Sequence, residues 1–419
     1  MAAPRHRWVV FGGLVGVYGS FGVAVAAIAP MLSVVRADLG ASRGQMGLAL
    51  GAWALVYIVT APIAGRFIDR AGLGWSLFLG GCSIVGSLLL RAAAQGIGSL
   101  WLAVAFFGVF GPLVSAAAPT LMATWFPDER ERRRGVGLYA AAPALGGTVT
   151  VAITNPVLLT WLGSWRAVLV FEAGIAAIAT LVWVMIWNRV DDPSPPDRSV
   201  DHAGTGTFRR LVQESEIRLI LAMAFALFFL NHALGTWMPT VLEELGGFSP
   251  TSAGAWVAAA GVIGIVATAT LPGHATPERM HRMMAVILVT TAGSVLVLAT
   301  APAAAMGPAT LVTAVRSALV PIAIVTLLES EHVTPRTTGF ANGLWFSVAE
   351  VGGVTGPLTL GVVADTVIGY AGALAVVAGV ASGAAALAVA QHRALLPRPD
   401  RDQSTAASGA RTNATNRAR

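Results

Sequence analysis

The chain has 419 residues, of which 55% are hydrophobic and only 11% charged, and its mean hydropathy is +0.71. A soluble chain carries about a quarter charged residues, so this composition excludes a soluble globular protein and points to a membrane protein. All 27 basic residues are Arg, Cys82 is the one cysteine, and the formal net charge is +6. Lysine chemistry, intrachain disulfides and cysteine-ligated metals are thereby removed, and nucleic-acid binding has no support.

Arg5 and Arg7 precede an apolar run that resembles a secretion signal, with Ala24, Ala26 and Ala29 in a cleavage-like context. The uncharged stretch from Trp8 to Val35 exceeds the roughly 7–15 residues of such a signal, so it reads as a retained first membrane helix. Charges, Pro/Gly clusters and turn residues divide the chain into spans at 8–35, 45–65, 73–95, 100–126, 135–160 and 166–187, then 217–243, 251–272, 283–300, 305–328, 337–364 and 366–391. Each is about the 20 residues that a bilayer requires. The fold class is therefore an all-α membrane protein with twelve transmembrane helices.

The spans form an N-terminal six-helix bundle over 1–188 and a C-terminal one over 217–392. A cytoplasmic linker, 189–216, joins them, and a polar tail, 393–419, reads as disordered. Near the end of the linker, Phe208, Leu211 and Val212 share one helical face, as in a short helix on the membrane surface. Only Arg36, Arg43, Arg91 and Arg166 fall on one side of the membrane. Every other arginine except Arg316 falls on the opposite side, including Arg130, Arg132, Arg133 and Arg134. The positive-inside rule then places both termini in the cytoplasm.

The halves repeat. Gly137-Leu138-Tyr139 followed by Gly146-Gly147 in the fifth span is echoed by Gly343-Leu344-Trp345 and Gly352-Gly353 in the eleventh. Glycines at such places let helices approach closely in lipid, and the pattern suggests two parallel copies of one bundle.

Gly65-Arg66-Phe67-Ile68-Asp69-Arg70-Ala71-Gly72 closes the second span and resembles the G-x-x-x-D-R-x-G signature of the major facilitator superfamily. The resemblance covers the whole chain and implies a monomeric secondary transporter working by alternating access in the inner (plasma) membrane. It also implies that Gly65, Asp69, Arg70 and Gly72 belong to a conformational latch. Leu73-Gly74-Trp75 stands where that signature usually adds a basic pair, which weakens the latch. Trp125-Phe126-Pro127, Trp165-Arg166 and Trp237-Met238-Pro239 resemble the cyanate-permease and nitroimidazole-transporter branch. That branch implies a small anionic substrate.

Arg316 lies midway along the apolar tenth span. Insertion there costs about 2.5–3.5 kcal/mol, so it requires a partner, a water-filled cavity or an anionic ligand. Counted from the starts of their helices, Asn231 and His232 lie about 20 Å deep and Glu350 about 21 Å deep. By resemblance the seventh and tenth spans line a central cavity. Arg316 is thus expected to bind substrate with His232, Asn231, Tyr18, Tyr57 and Phe107 around it. Glu350 and Glu172 are the candidates for proton coupling or counter-ion duty. In the empty carrier an Arg316–Glu350 ion pair is expected.

A purely structural role remains open for each of these residues, Asn231 as an interhelical hydrogen bond among them. Glu172 reads as interfacial or paired, and Arg91 and Asp365 are expected to reach water. Trp53 and Tyr139 extend the aromatic set. Phe107 stands where proton antiporters of the superfamily often carry an arginine, and their fifth-helix motif survives only as Ala142-Pro143 with Gly146-Gly147. Efflux of drugs or other amphipathic cations is the alternative function. No catalytic, metal or cofactor motif is found, so an enzyme is not expected.

Overall fold

In hydrocarbon every backbone N–H and C=O must be satisfied within the protein, which leaves a spanning chain the choice of helix or closed barrel. The computed structural model describes residues 6–41, 43–191, 205–334 and 337–395, and these form helices with no strand among them. The tail beyond residue 395 and linker residues 192–204 lie outside the described residues. In chain order the helices are α1 Arg7–Ala26, α2 Leu32–Asp38, α3 Arg43–Ala92, α4 Ile97–Phe110, α5 Pro112–Ser115, α6 Ala117–Trp125, α7 Glu129–Ile153, α8 Thr160–Leu162 and α9 Trp165–Trp187. They continue as α10 Thr205–Gln213, α11 Ser215–Glu244, α12 Pro250–Thr270, α13 Met280–Thr300, α14 Ala303–Thr313, α15 Leu319–Leu328, α16 Thr338–Ala364 and α17 Gly369–Leu395. The linker helix expected around Phe208 is α10, with Leu211 buried.

Among the described residues, 11 helical segments are long and apolar enough to cross a membrane. One of them, Gln45–Ala92, has 48 residues. At about 1.5 Å per residue that is more than twice the hydrocarbon thickness of about 30 Å. Within it Gly72 sits at φ 82°, ψ 171°, a region that glycine enters without steric cost. The second and third expected spans are thus one helix broken at Gly72. Several other helix starts are set by short polar side chains. Asp128 accepts the Glu131 N–H at 2.8 Å, Ser164 that of Ala167 at 3.1 Å, and Ser249 that of Ser252 at 3.2 Å.

The repeated glycines do equivalent work. Gly137 of α7 abuts the Thr268 and Ala269 carbonyls of α12, as Gly343 of α16 abuts the Ala61 carbonyl of α3. Gly146 of α7 lies on the Gly19 carbonyl of α1, as Gly352 of α16 lies on the Phe225 carbonyl of α11. A methyl group at any of these places would collide with backbone. The α3–α16 contact runs antiparallel from Asp69 against Gly339, through Gly65 and Ala61, to Ser347 Oγ donating to the Ile58 carbonyl and Tyr57 meeting Phe346. Outward-facing positions are apolar, as at Val59 (68% exposed), Leu102 (65%) and Ile178 (64%), which suits a surface wetted by lipid.

Candidate functional site

Between α14 and α15 the tenth expected span tightens into a 3-10 turn over Ala314–Ala318, and Arg316 lies inside it. Its side chain is buried. Nη1 donates to the Thr313 carbonyl at 2.8 Å, while Nε has no acceptor. The expected ion pair with Glu350 is not formed, and no carboxylate lies within bridging distance of Arg316 among the described residues. The tightened turn explains this: it seats Ser317 against Gly264 of α12 and folds the guanidinium back onto its own helix. An arginine in this state carries an uncompensated positive charge in the apolar interior.

Glu350 projects from α16 and is 3% exposed, with no hydrogen bond to Oε2. It faces the other half of the chain, close enough to Tyr18 of α1 and Tyr57 of α3 to act electrostatically on both. His232 of α11 lies against the backbone of Gly353. A Cβ on that glycine would collide with His232 Nδ1 and sit 2.9 Å from Glu350 Oε2. The missing side chain therefore brings the imidazole and the carboxylate to one place. Asn231, one residue before His232 and so about 100° from it round α11, is half-buried.

Aromatic rings join the two halves of the chain across this place. Tyr18 meets Tyr139 at 5.9 Å and Phe21 at 5.7 Å, and Phe21 meets Phe107 at 4.8 Å. Trp53 lies 5.8 Å from Tyr57, which lies 6.3 Å from Phe346. Phe228 then meets Phe346 at 6.3 Å, Trp345 at 5.6 Å and His232 at 5.3 Å. The Tyr57 hydroxyl hydrogen-bonds Ser115 Oγ, whereas Tyr139 OH and Trp345 Nε1 are buried without partners. Tyr18, Tyr57 and Phe107 are thus held in one aromatic cluster, and Phe346 and Trp345 are members that sequence reasoning missed.

Arg91 does not reach water. It is 2% exposed, donates Nη1 to the Ala24 carbonyl at 2.5 Å and lies over the Phe107 ring at 5.7 Å. Glu172 is likewise 2% exposed, and of its two expected readings, interfacial or paired, the structure agrees with the second, since Arg91 is the charge that acts on it. Both residues stand on the inner faces of their helices, so proximity to a helix end did not decide their exposure. Asp365, by contrast, is exposed as expected.

At the arginine-rich end of the molecule the two halves are closed against each other. Asp69 accepts the N–H groups of Gly339 at 2.8 Å and Phe340 at 2.9 Å, and so caps the N-terminus of α16. Gly65 and Gly339 permit that approach, Arg66 lies 4.7 Å from the Phe340 ring, and Arg70 is exposed. Arg133 of α7 bridges Glu329, beyond α15, at 3.2 Å and Glu129 at 3.2 Å, with Arg132 at 3.8 Å from Glu329. Burial pushes the Glu329 carboxyl above its usual range against the pull of both arginines. Glu329 was not among the expected site residues. Its signal in the sequence was the first acid after an apolar span, opposite a run of arginines.

The chain matches the sequence profile of the Major Facilitator Superfamily over residues 14–357. It is 28% identical over 174 residues to a D-galactonate transporter of Escherichia coli O6:H1, an alignment covering 40% of this chain and 38% of that protein. A protein of Agrobacterium vitis that bears the name tartrate transporter is 24% identical over 385 residues, covering 82% of this chain and 80% of its own. In fold the chain is similar to the crystal structure of the E. coli fucose:proton symporter, with a TM-score of 0.76 at 16% identity, covering 92% of this chain and 99% of that one. A profile match over most of the chain, helices that repeat their close approaches, and an α16 N-terminus capped by Asp69 of α3 agree: this chain belongs to the Major Facilitator Superfamily of transporters, as a multi-pass protein of the inner (plasma) membrane.

Proposed function

We propose that the protein is a proton-coupled carrier of a small organic or inorganic anion, working as a monomer by alternating access between two six-helix bundles, 1–188 and 217–392. The chain crosses the membrane twelve times, because the helix broken at Gly72 supplies two passes. Both termini and the arginine-rich end face the cytoplasm, so the closed contacts of α3 with α16 and of α7 with α12 form the cytoplasmic gate. The single observation that carries the anion is Arg316, a buried arginine with no acidic partner among the described residues. A buried guanidinium presents fork-like donors suited to a carboxylate or another planar oxyanion.

Charge balance supplies the coupling. An anion entering from outside neutralises Arg316, and a proton arriving with it neutralises Glu350, so the loaded centre carries no net charge through the low-dielectric interior. His232 is placed to pass that proton, and Tyr18, Tyr57, Phe107 and Asn231 shape the surrounding wall. The names of the galactonate and tartrate relatives support an anion, and the short tryptophan motifs favour the cyanate-permease branch. The test is uptake by proteoliposomes of cyanate, nitrate, tartrate and galactonate, with and without an inward proton gradient. Accumulation of one of them that rises with the gradient is expected. Failure of all four to accumulate while the protein binds none of them would remove the anion proposal.

An organic cation is the second candidate substrate, and one observation favours it. Glu350 forms no salt bridge among the described residues, and Tyr18 and Tyr57 lie near it, with Phe346 beside Tyr57. Such a setting attracts quaternary and protonated amines. Efflux of a lipophilic amine from the same vesicles, driven by the opposite gradient, would favour it over the anion.

A further inference from the structure

Behind the aromatic wall lies a pair of buried charges that the anion mechanism leaves unused. Glu172 of α9 has both carboxylate oxygens without a hydrogen-bond donor. Arg91, near the end of α3, lies close enough to act on it yet forms no salt bridge with it, and gives Nη1 to the Ala24 carbonyl instead. Arg91 Nε has no acceptor either, so three buried polar atoms of this pair are unpartnered. Ala24 belongs to the last turn of α1, which ends at Ala26 before the 3-10 turn Ala29–Met31. Carbonyls of a last helical turn lack intrahelical donors, so Arg91 ties down an end that would otherwise be free.

One guanidinium therefore has two acceptors in competition, a carbonyl on α1 and a carboxylate on α9. A hydrogen bond to an ionised carboxylate is roughly twice as strong as one between neutral groups. Ionised, Glu172 outcompetes the carbonyl; protonated, it does not. We propose that Glu172 is a proton-binding site separate from Glu350, and that its protonation decides whether Arg91 holds the end of α1 or turns to α9.

No other titratable group intervenes among the described residues. On α9 itself, Arg166 is occupied by Asp38 at 2.7 Å and the Ala94 carbonyl at 2.9 Å. On α1, Arg7 is bonded to Glu131 at 2.9 Å, and Tyr18 is packed on Tyr139 and Phe21. The remaining charges of α3 on its membrane-crossing part, Arg66, Asp69 and Arg70, lie at the opposite, latch end, and Cys82 is exposed. The segment Thr154–Leu162, which also packs on α9, carries no ionisable side chain. The proposal rests on the carrier reading only in taking α1 to be a moving part, and on no identity for the substrate.

The experiment uses the full-length protein in liposomes, with Cys82→Ser and a nitroxide attached through Val34→Cys on exposed α2, just beyond the end of α1. Spin-label mobility is compared at mildly acid and alkaline pH. Mobility should rise with pH in the parent protein, be locked at the acid value by Glu172→Gln, and be locked at the mobile value by Arg91→Gln. The infrared acid-minus-alkaline difference spectrum should lose one protonated-carboxyl band in Glu172→Gln and keep the band contributed by Glu350. Glu350→Gln separates the two proposals, since it should abolish proton-driven uptake and leave the α1 response intact. A parent protein whose spectrum is the same at both pH values would overturn the inference, as would a pH response that survives Glu172→Gln. Should Glu172→Gln fail to insert, Arg91→Lys serves instead: it must shift the response, and an unshifted response overturns the proposal.

Discussion

At the closed end Arg133 meets Glu329 at 3.2 Å and Asp69 takes the N–H groups that open α16, whereas at the centre, among the described residues, Arg316 bonds a carbonyl of its own helix and Glu350 Oε2 has no hydrogen-bond partner. The two regions are built of the same residue types. They differ in whether the charges answer each other within the protein. Compensated charges fix a geometry, so on the proposed function their loss should change which side is open. Uncompensated charges can be answered by something that arrives from outside, so on the same proposal their loss should change what is carried.

The comparison breaks most decisively at Arg316. Arg316→Ala should reduce substrate accumulation by at least about 100-fold while membrane insertion is unimpaired, because the protein is relieved of an insertion cost of roughly 2.5–3.5 kcal/mol. Uptake counts beside thermal unfolding of the purified protein would check both halves of that statement. Glu350→Gln should remove stimulation by a proton gradient and keep exchange of substrate across the membrane, which counterflow measures. At the closed end, Arg133→Ala leaves the buried Glu329 with only Arg132 nearby. It should weaken closure by about 3 kcal/mol, the lower part of the range for breaking a buried pair. Accessibility of a cysteine placed at Ala61 to a small thiol reagent would report it.

The pH dependence of closure sharpens the contrast. The Glu329 carboxyl is held above its usual range where it is buried between the halves. A group raised in this way contributes stability that is fully present below its ordinary value and lost as pH rises through the raised one. Mild acid at that face should therefore favour closure, and Glu329→Gln should flatten the dependence. The smallest effect expected is at Asp69. Asp69→Asn retains an oxygen for capping α16 but loses the charge that favours a helix N-terminus, which costs about 1 kcal/mol.

Much of this arrangement was legible in the sequence, because its signals were local. The apolar spans, the Gly65–Gly72 signature and the paired glycines around 137 and 343 announce helices and their close approaches, and the structure shows Gly137, Gly146, Gly343 and Gly352 each against the backbone of another helix. Depth along a helix was also legible, since it is a count of residues. What could not be read was the direction in which a side chain faces. Arg91 lies where sequence distance suggests water, yet helix rotation turns it inward, beside Glu172, whose position left an interfacial and a paired reading open. Arg316 and Glu350 are at matching depth, yet a 3-10 turn and a glycine three residues after Glu350 send them to different neighbours. Glu329 was missed because its partner lies 196 residues away in the chain.

The five residues Ala314–Ala318 are wound more tightly than their surroundings. A 3-10 turn rises about 2.0 Å per residue against 1.5 Å in an α-helix, so rewinding these five would shorten the rod by about 2.5 Å. A ligand that pulled Arg316 away from the Thr313 carbonyl would remove one of the bonds that hold the stretched form. Glu329 stands at the far end of the same rod, so an event at the middle of the membrane has a mechanical line to the charged seam beneath it.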